Sequence, residues 1–267
     1  MKRFFISRKI RTVSDRVLSK FFPDYLGENF ICPICQTELS HFLPLPLYFL
    51  KELNKNQHIH SIFQNETLNI EDYACPKCYS SDRERLYALY FKKSVQENQQ
   101  YKVLDFAPAP SLRKFIKSFP NIEYRSADLL MDNVDDKVDI SDMKIYPDEK
   151  FDIFVCSHVL EHVPDDRKAM SELYRILSPD GWGIAMVPIC LGLDEIYEDP
   201  NITDEGLRWK YFGQNDHLRM YSKQGFIERL ENVGFLVNQF GIDYFGEEVF
   251  SLNGIHPRSV LYIVHKK

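Results

Sequence analysis

The sequence predicts an α/β fold built around a doubly wound, mostly parallel sheet, and three features of residues 151–189 make that prediction. Phe151–Ser157 is a short apolar, β-branched run bounded by charge, as in a strand buried on both faces. Apolar residues at helical spacing follow, and they end at Ser178–Gly181, which stops the helix and predicts a turn. Trp182–Pro188 is a second apolar run. Two buried strands joined by a helix indicate a parallel sheet with a right-handed crossover.

The composition is that of an ordinary globular protein. The chain has 267 residues, of which 44% are hydrophobic and 27% are charged. No apolar run approaches the ~20 residues that a membrane-spanning helix needs, and the N-terminus lacks the apolar core of a signal peptide. Four of the six cysteines form two close pairs, which favours metal binding in a reducing compartment. The expected location is therefore cytoplasmic.

Charge is divided unevenly along the chain. Residues 1–95 hold 14 Lys or Arg and 10 Asp or Glu, whereas residues 96–267 hold 19 and 29, which together give the net −6. An acidic main domain is a poor electrostatic match for a long polyanion such as RNA. The charge distribution therefore weighs against a nucleic-acid substrate.

Residues 1–28 are predicted to form a basic amphipathic helix. Basic residues such as Arg3 and Lys20 alternate with apolar ones such as Phe4 and Ile10 at roughly helical spacing. We favour packing of the apolar face on this chain or on a second copy in a homo-oligomer. The alternative is weak contact with an anionic membrane surface.

Two Cys-Pro-x-Cys pairs predict a structural zinc site. The four cysteines are Cys32, Cys35, Cys75 and Cys78. Each tight turn lets two thiolates reach one ion, and four thiolates suit tetrahedral Zn²⁺ without leaving an open position for chemistry. The gap of about forty residues is longer than in most zinc ribbons, so the site would clip together a module over residues 29–95. The alternatives are an unmetallated or redox-active pair, with His41, His58 and His60 as substitute ligands.

A capped helix is predicted to lead from this module into the main domain. Ser80-Ser81-Asp82-Arg83-Glu84-Arg85 precedes an apolar segment and carries the signature of a helix start. Arg83 and Arg85 are either phosphate ligands at this helix start or members of surface or interdomain ion pairs. We favour ion pairs as the commoner use of such residues.

The central stretch also carries a family resemblance. Phe151-Asp152, Leu160–Val163 and the helix running into Leu177–Gly181 closely resemble the class I S-adenosylmethionine-dependent methyltransferases of the type 11 group. The resemblance covers roughly residues 100–267. It implies a Rossmann-like, seven-stranded sheet, a methyltransferase domain over residues 96–267 and S-adenosylmethionine as the cofactor. It implies nothing about the methyl acceptor.

A competing motif lies within the same stretch. His158, Glu161 and His162 spell H-x-x-E-H, the signature of a class of zinc peptidases. Such a site needs both histidines on one face of a long helix, whereas this motif leaves a buried strand and meets Pro164. We therefore set the peptidase interpretation aside.

The resemblance places the cofactor at the ends of the first two strands. Asp105 ends the strand 101–106, and Ala107 and Ala109 stand where the family has glycines, which permit positive φ and close approach of the backbone. This departure leaves open a rigid turn of another shape, or a domain that no longer binds cofactor. Asp128 lies 23 residues after Asp105, a spacing typical of a carboxylate that accepts from ribose hydroxyls, although a turn cap is the alternative.

Further cofactor contacts follow from the same resemblance. Asp139 is expected to meet the exocyclic amine of adenine and Ile140 the ring, while Ser157 and His158 line the crevice near the sulfonium. The complete set of expected cofactor contacts is Asp105, Ala107, Ala109, Asp128, Leu129, Asp139, Ile140, Ser157 and His158.

The acidic and aromatic segment 192–216 is the predicted lid and substrate wall. If the acceptor is a sugar hydroxyl, a general base assists the transfer, and histidine has a suitable pKa. His217 is our first choice of base and His158 our second; the alternatives are that His217 orients the lid and His158 forms the cofactor wall. The predicted substrate contacts are Tyr197, Arg219 and Tyr221.

These observations together predict a zinc-containing, cytoplasmic methyltransferase. Similarity to type 11-like enzymes with an N-terminal cysteine module, associated with bacterial surface polysaccharides, indicates a small sugar-related acceptor such as a nucleotide sugar or capsule precursor. The second hypothesis is an RNA methyltransferase that uses the zinc module for recognition, favoured if Lys51, Lys55 and Lys77 share a basic face with residues 3–20. The third is a non-catalytic adaptor.

Overall fold

The computed structural model describes residues 25–267. The basic amphipathic helix predicted for residues 1–28 therefore lies almost entirely outside the described residues. Among the helices that are described, none has both the length and the apolar content required to cross a bilayer.

A central sheet organises the described chain. Its strands and the short peripheral ones are β1 (Leu26–Ile31), β2 (Glu38–Leu39), β3 (Tyr101–Phe106), β4 (Ile122–Asp128), β5 (Asp136–Lys137), β6 (Phe151–Ser157), β7 (Leu177–Met186), β8 (Tyr197–Glu198), β9 (Arg219–Met220), β10 (Phe235–Phe240) and β11 (Leu261–Lys266). Within residues 25–267, seven strands form one sheet in the order β5-β4-β3-β6-β7-β11-β10. All neighbours pair in parallel except β11, which is antiparallel to both β7 and β10. The predicted mostly parallel, seven-stranded sheet is confirmed.

The helices connect these strands and cover the sheet. They are α1 (Leu47–Lys55), α2 (Asp82–Ser94), α3 (Pro110–Ile116), α4 (Asp166–Ile176), α5 (Glu205–Phe212), α6 (Lys223–Asn232), α7 (Ile242–Phe245) and α8 (Glu247–Leu252). The apolar stripe of α4, which includes Met170, Leu173 and Ile176, is fully buried. Asp165 caps α4 by accepting a hydrogen bond from the Lys168 amide at 3.0 Å. The predicted strand–helix–strand unit therefore forms through the expected helical periodicity.

One local prediction in this unit differs from the structure. The helix ends before residue 178 as expected, but the predicted turn at 178–181 is absorbed into β7. Leu177 pairs with Phe151 and Trp182 with Ile153, so the intervening residues form an irregularity within the strand. A Cβ on Gly181 would lie 2.7 Å from the Asp152 carbonyl oxygen, which explains why a glycine ends the irregularity.

Helix α2 joins the N-terminal module to the main core, as its sequence predicted. Ser81 Oγ accepts from the Glu84 amide at 3.4 Å, and the Glu84 carboxylate accepts from the Ser81 amide at 3.3 Å, which completes a capping box. Leu86, Tyr87 and Phe91 are fully buried in the main core. The module is therefore continuous with the packing of the sheet.

Arg85 fastens the same junction from within. It is fully buried, its Nε donates to the Asn253 carbonyl at 2.7 Å, and Nη2 donates to the Gly254 carbonyl at 2.8 Å. The guanidinium also donates to the carbonyls of Asp72, Tyr73 and Ser80 in the cysteine module. The favoured prediction of an ion pair is not met for Arg85 within residues 25–267, because its partners at this junction are backbone carbonyls.

The module also supports the segment 192–216. The Ile59 amide donates to the Lys210 carbonyl at 3.0 Å, and the Leu191 amide donates to the Gln64 carbonyl at 2.8 Å. The rings of Phe49 and Trp209 lie 6.0 Å apart. Residues 49–64, which precede the second cysteine pair, therefore contact this segment and the residue that precedes it.

Candidate active site and metal centres

The four predicted zinc ligands converge in the structure. Cys32 Sγ lies 3.7 Å from Cys78 Sγ, and Cys35 Sγ lies 3.8 Å from Cys75 Sγ. A tetrahedron with Zn–S bonds of about 2.3 Å has S–S edges of about 3.8 Å, whereas a disulfide would bring two sulfurs to about 2 Å. The sulfur spacing therefore fits one tetrahedral ion.

The two cysteine pairs share one backbone geometry. The amide four residues after each first cysteine donates to that cysteine's carbonyl, at 2.8 Å for Gln36 and 2.9 Å for Tyr79. Both donors have positive φ, 56° and 61°, as a tight knuckle requires. Of the substitute ligands considered, His58 instead faces the carbonyls of Trp209 and Lys210. Within residues 25–267, none of the three histidines belongs to the cysteine cluster.

The turn after β3 keeps a glycine-like backbone without glycine. Ala107 has φ 48°, in the left-handed region that glycine normally supplies, at a cost of about 1–2 kcal/mol. Ala109 precedes α3, whose first residue is Pro110, a residue pre-set for that position. The departure from the family pattern therefore changes the side chains while the positive φ is retained.

Two carboxylates lie at the ends of β3 and β4. Asp105 is buried and accepts a hydrogen bond from the Tyr124 hydroxyl at 2.7 Å, and burial raises the pKa of Asp105 to about 7. Asp128 Oδ1 accepts from the amides of Leu130 and Met131, both at 2.6 Å. Asp128 Oδ2 makes no hydrogen bond with the residues of the described chain. The turn-cap interpretation therefore holds for one oxygen, and the other is free for a ribose hydroxyl.

The predicted adenine contacts follow β5. Asp139 is exposed, and its Oδ1 accepts from the amide and the hydroxyl of Ser141 at 2.8 and 2.7 Å. Ile140 is buried, whereas Leu129 is 55% exposed. These contacts hold the loop that would meet the adenine ring.

The end of β6 carries the crevice wall. Ser157 Oγ lies 2.8 Å from the Tyr87 hydroxyl, and His158 has φ 55°, which is rare for a residue with a side chain. Arg83 approaches from the start of α2, and its charge contributes, after burial, to a lowered pKa of His158. The Arg83 guanidinium has no hydrogen bond or ion pair with residues 25–267. Burial opposes the charge of Arg83, but nearby groups, Glu84 and Asp82 among them, outweigh burial and raise its pKa. A cation therefore lies beside the predicted cofactor wall.

A buried polar cluster lies beside this wall. Glu161 Oε1 lies 3.3 Å from His158 Nδ1, 3.9 Å from His162 Nε2 and 4.0 Å from His217 Nε2. The Glu161 and His217 side chains are 1% and 3% exposed. Neither oxygen of Glu161 makes a hydrogen bond within the described chain, and neither does His217 Nε2. Three unsatisfied buried atoms thus meet at one point.

The charges in this cluster are set by burial and by the histidines. Burial alone raises the pKa of Glu161, but the neighbouring imidazoles outweigh it and lower that pKa to about 2. Burial and the nearby His162 lower the pKa of His217 to about 4. Burial opposes protonation of His162 as well, yet the Asp216 and Glu161 carboxylates raise its pKa. At neutral pH the cluster therefore holds an ionised Glu161 and a neutral His217.

The predicted substrate residues lie inside the fold. Arg219 is 5% exposed, and its guanidinium donates to the carbonyls of Leu160 at 2.9 Å, Val163 at 2.6 Å and Pro164 at 2.9 Å. The fully buried Tyr221 donates its hydroxyl to Asp166, and the Tyr197 ring packs on Tyr211 and Phe212. Because these polar groups have partners within the protein, we assign them to holding the loop 160–164 and the lid.

Two candidate residues of the site could be predicted only in part. Arg83 is a possible phosphate ligand on sequence grounds, but nothing in the sequence places it beside the end of β6. Glu161 was noticed only within the peptidase motif, and the structure agrees that no long helix spans that motif, since Leu160–His162 is a single 3₁₀ turn. The signal in the sequence was the H-x-x-E-H pattern, which contains Glu161 and His162 but is typical of a different architecture.

A comparison with known families covers most of this region. A family model described as a methyltransferase domain matches residues 80–239, which is more than half of the chain. No curated protein matches the chain. The match extends from the approach to α2 through the crevice and the buried cluster into β10.

Solved structures with a similar fold have low sequence identity. A SAM-dependent methyltransferase from Archaeoglobus fulgidus is 18% identical, covering 72% of this chain and 96% of its own, with a TM-score of 0.45. An S-adenosylmethionine-dependent methyltransferase from Mesorhizobium loti is 14% identical, covering 68% and 98%, with a TM-score of 0.44. The [4+2]-cyclase SpnF is 15% identical, covering 84% and 97%, with a TM-score of 0.46.

Proposed function

The chain belongs to the methyltransferase-domain family, and we propose that it transfers the methyl group of S-adenosylmethionine to a hydroxyl of a small polar acceptor. The observation that carries the choice of acceptor is the enclosed polar cluster beside the end of β6. Glu161 and His217 are almost fully buried. Polar groups at such depth suit a small polar molecule better than a polymer, which could not reach them.

The cofactor is assigned to the crevice at the carboxyl ends of β3, β4 and β6. The positive φ of Ala107 lets the backbone approach a ligand closely, and Asp128 Oδ2 is free to accept from a ribose hydroxyl. Asp139 and Ile140 are assigned to adenine, and Ser157 and His158 to the methionine end. When bound, S-adenosylmethionine supplies an already activated methyl group, so the chain mainly has to align the acceptor and exclude water.

The proposed general base is His158, with His217 as the other candidate. Burial lowers the pKa of both imidazoles, so both are neutral and able to accept a proton near neutral pH. The His158 side chain is 23% exposed and that of His217 is 3% exposed. A base must reach the acceptor hydroxyl. The greater exposure of the His158 side chain therefore favours His158 over His217, which the sequence had favoured.

A sugar-related acceptor is proposed over RNA. The lid segment 192–216 carries seven acidic and two basic residues, which disfavours a polyanion at this edge. A nucleotide sugar or surface-polysaccharide precursor presents hydroxyls in a small molecule, and its phosphates need not enter the crevice. The choice of a surface-polysaccharide precursor rests on the family resemblance alone.

Calorimetric titration with S-adenosylhomocysteine, with zinc quantified on the same sample, tests this function. We expect micromolar binding and one zinc per chain, after which nucleotide sugars are the first acceptors to screen. No heat of binding from folded, zinc-loaded protein would remove the enzyme hypothesis and favour the adaptor. Methylation of RNA with no turnover of small acceptors would favour the RNA hypothesis.

Arg83→Met is expected to weaken binding of S-adenosylhomocysteine by about tenfold to one hundredfold. The Arg83 guanidinium, which makes no hydrogen bond among the described residues, is assigned to the carboxylate of the ligand, and a charge-assisted hydrogen bond contributes about 1.5–3 kcal/mol. Methylthioadenosine lacks that carboxylate, so its affinity should not change. Equal losses for both ligands would contradict the assignment and indicate a general disturbance of the crevice.

A further inference from the structure

We propose that Glu161, His162 and His217 form a second metal site, which binds one first-row divalent ion. Their candidate ligand atoms, one carboxylate oxygen and two imidazole nitrogens, all lie within 4.8 Å of one another. This cluster is separate from the four cysteines and uses different donor chemistry. The proposal stands on the direction in which the lone pairs of these atoms point.

The hydrogen bonds of His217 fix its tautomer. His217 Nδ1 lies 3.0 Å from the Phe212 carbonyl oxygen, which can only accept, so the ring proton is on Nδ1. Nε2 then carries a lone pair, is buried and has no hydrogen-bond partner in the described chain. It faces the unsatisfied Glu161 carboxylate at 4.0 Å. Two acceptors facing each other in a buried place repel unless a cation lies between them.

His162 presents the same arrangement. Its Nδ1 lies 3.4 Å from Asp216 Oδ2 and its Nε2 faces Glu161 Oε1, 3.9 Å away. In the neutral ring with the proton on Nδ1, Nε2 offers a lone pair to an ion beside Glu161. A carboxylate or carbonyl behind each ligating imidazole is the usual support of a metal-bound histidine. Both histidines of the cluster have such a support.

The ligands are held in place by neighbouring backbone. The Leu218 amide donates to the Glu161 carbonyl at 2.8 Å, which ties the segment containing His217 to the 3₁₀ turn. Arg219 binds three carbonyls of residues 160–164. His158 Nδ1 lies 3.3 Å from Glu161 Oε1, without a hydrogen bond, and adds a third imidazole beside the carboxylate. A site assembled from two segments 56 residues apart is therefore already organised without an ion.

The donor set selects the class of metal. Two imidazoles and one carboxylate suit Zn²⁺, Fe²⁺, Co²⁺ or Mn²⁺ better than Mg²⁺ or Ca²⁺, which prefer oxygen ligands. Three protein ligands leave open positions, as in sites where an ion meets a substrate. The one-third exposed His162 and the crevice beside it provide access. If the proposed function holds, on which this last step rests, an open position would take the acceptor hydroxyl and bring its oxygen towards the cofactor.

Calorimetric titration with Mn²⁺ tests the site directly, on protein that holds one zinc per chain so that the cysteine cluster is filled and the second site is empty. Mn²⁺ is too hard to displace zinc from thiolates, so its binding reports on the second site alone. We expect one Mn²⁺ per chain in the wild type and no saturable binding in Glu161→Gln or His217→Ala. The matched control His256→Ala removes a half-buried histidine outside the cluster and should bind Mn²⁺ as the wild type does.

Zinc content and S-adenosylhomocysteine binding, measured on the same samples, separate the outcomes. Retained zinc and cofactor binding in Glu161→Gln would show that the loss of Mn²⁺ is local. If that variant does not fold, His162→Ala, which removes a partly exposed ring, decides the question. Absence of Mn²⁺ binding in wild type that binds S-adenosylhomocysteine would overturn the metal site and leave the proposed function intact. Mn²⁺ binding without S-adenosylhomocysteine binding would support the site while removing the function.

Discussion

Cys75→Ala is expected to release the zinc and to lower the melting temperature by at least about 10 °C. Structural zinc contributes about 10–16 kcal/mol of apparent binding free energy in small domains, and about 1 kcal/mol corresponds to about 2–4 °C in a chain of this size. The loss is expected to extend beyond the knuckles because Ile59 and Gln64 of the same module form backbone hydrogen bonds with Lys210 and Leu191. Zinc quantification and thermal unfolding, followed by circular dichroism, measure both effects.

Cys190→Ala is the matched control for that result. Cys190 is a buried cysteine outside the cluster, so the same chemical change removes a sulfur without removing a ligand. It should retain one zinc per chain and lose only a few degrees of stability. If both variants kept their zinc and melted together, the four-thiolate site would be contradicted, and the cysteines would act only as core residues.

The parts of the fold that follow from local pattern are the parts that the sequence predicted. β3, β6, α4 and the capping box of α2 depend on residues close to one another in the chain, and each lies where its pattern placed it. Each Cys-Pro-x-Cys knuckle is likewise a local motif. The spacing of the cysteines and the softness of their thiolates predicted that all four sulfurs would lie together, as they do. Local chemistry therefore predicted both the fold class and the cysteine cluster.

The remaining features depend on contacts between distant residues. The Ser178–Gly181 segment reads as a turn, but pairing with β6 draws it into a strand. Arg219 reads as an exposed anion-binding residue, and only the fold reveals the three carbonyls of a loop 55 or more residues earlier that occupy it. The proximity of Glu161 and His217 could not be predicted from the sequence either, because an H-x-x-E-H pattern specifies no third ligand 56 residues away.

Arg85→Met is expected to destabilise the protein by about 3–5 kcal/mol, with a fall in melting temperature of about 6–20 °C. The variant keeps the length of the side chain but removes a donor from five backbone carbonyls of the cysteine module and residues 253–254. Those of Tyr73, Ser80 and Gly254 keep another donor, whereas those of Asp72 and Asn253 have none among the described residues. Each unsatisfied buried group costs about 1–3 kcal/mol, and relaxation of the junction recovers part of the sum. Urea denaturation gives the free energy of unfolding, and zinc analysis shows whether the knuckles survive.

Two further variants identify what Arg85 contributes. Arg85→Lys keeps the positive charge, but a single ammonium cannot replace a planar fork that donates to carbonyls on both sides, so it should recover less than half of the lost stability. Arg258→Met removes an exposed arginine near the same C-terminal segment and should leave the unfolding transition within experimental error. Lysine and arginine are both cationic, but only arginine presents a planar fork of donors. Full recovery of stability in Arg85→Lys would therefore mean that the positive charge alone holds the junction. The expected order, with arginine well above lysine and lysine above methionine, follows from the five carbonyls, because their number and directions require the geometry of a guanidinium.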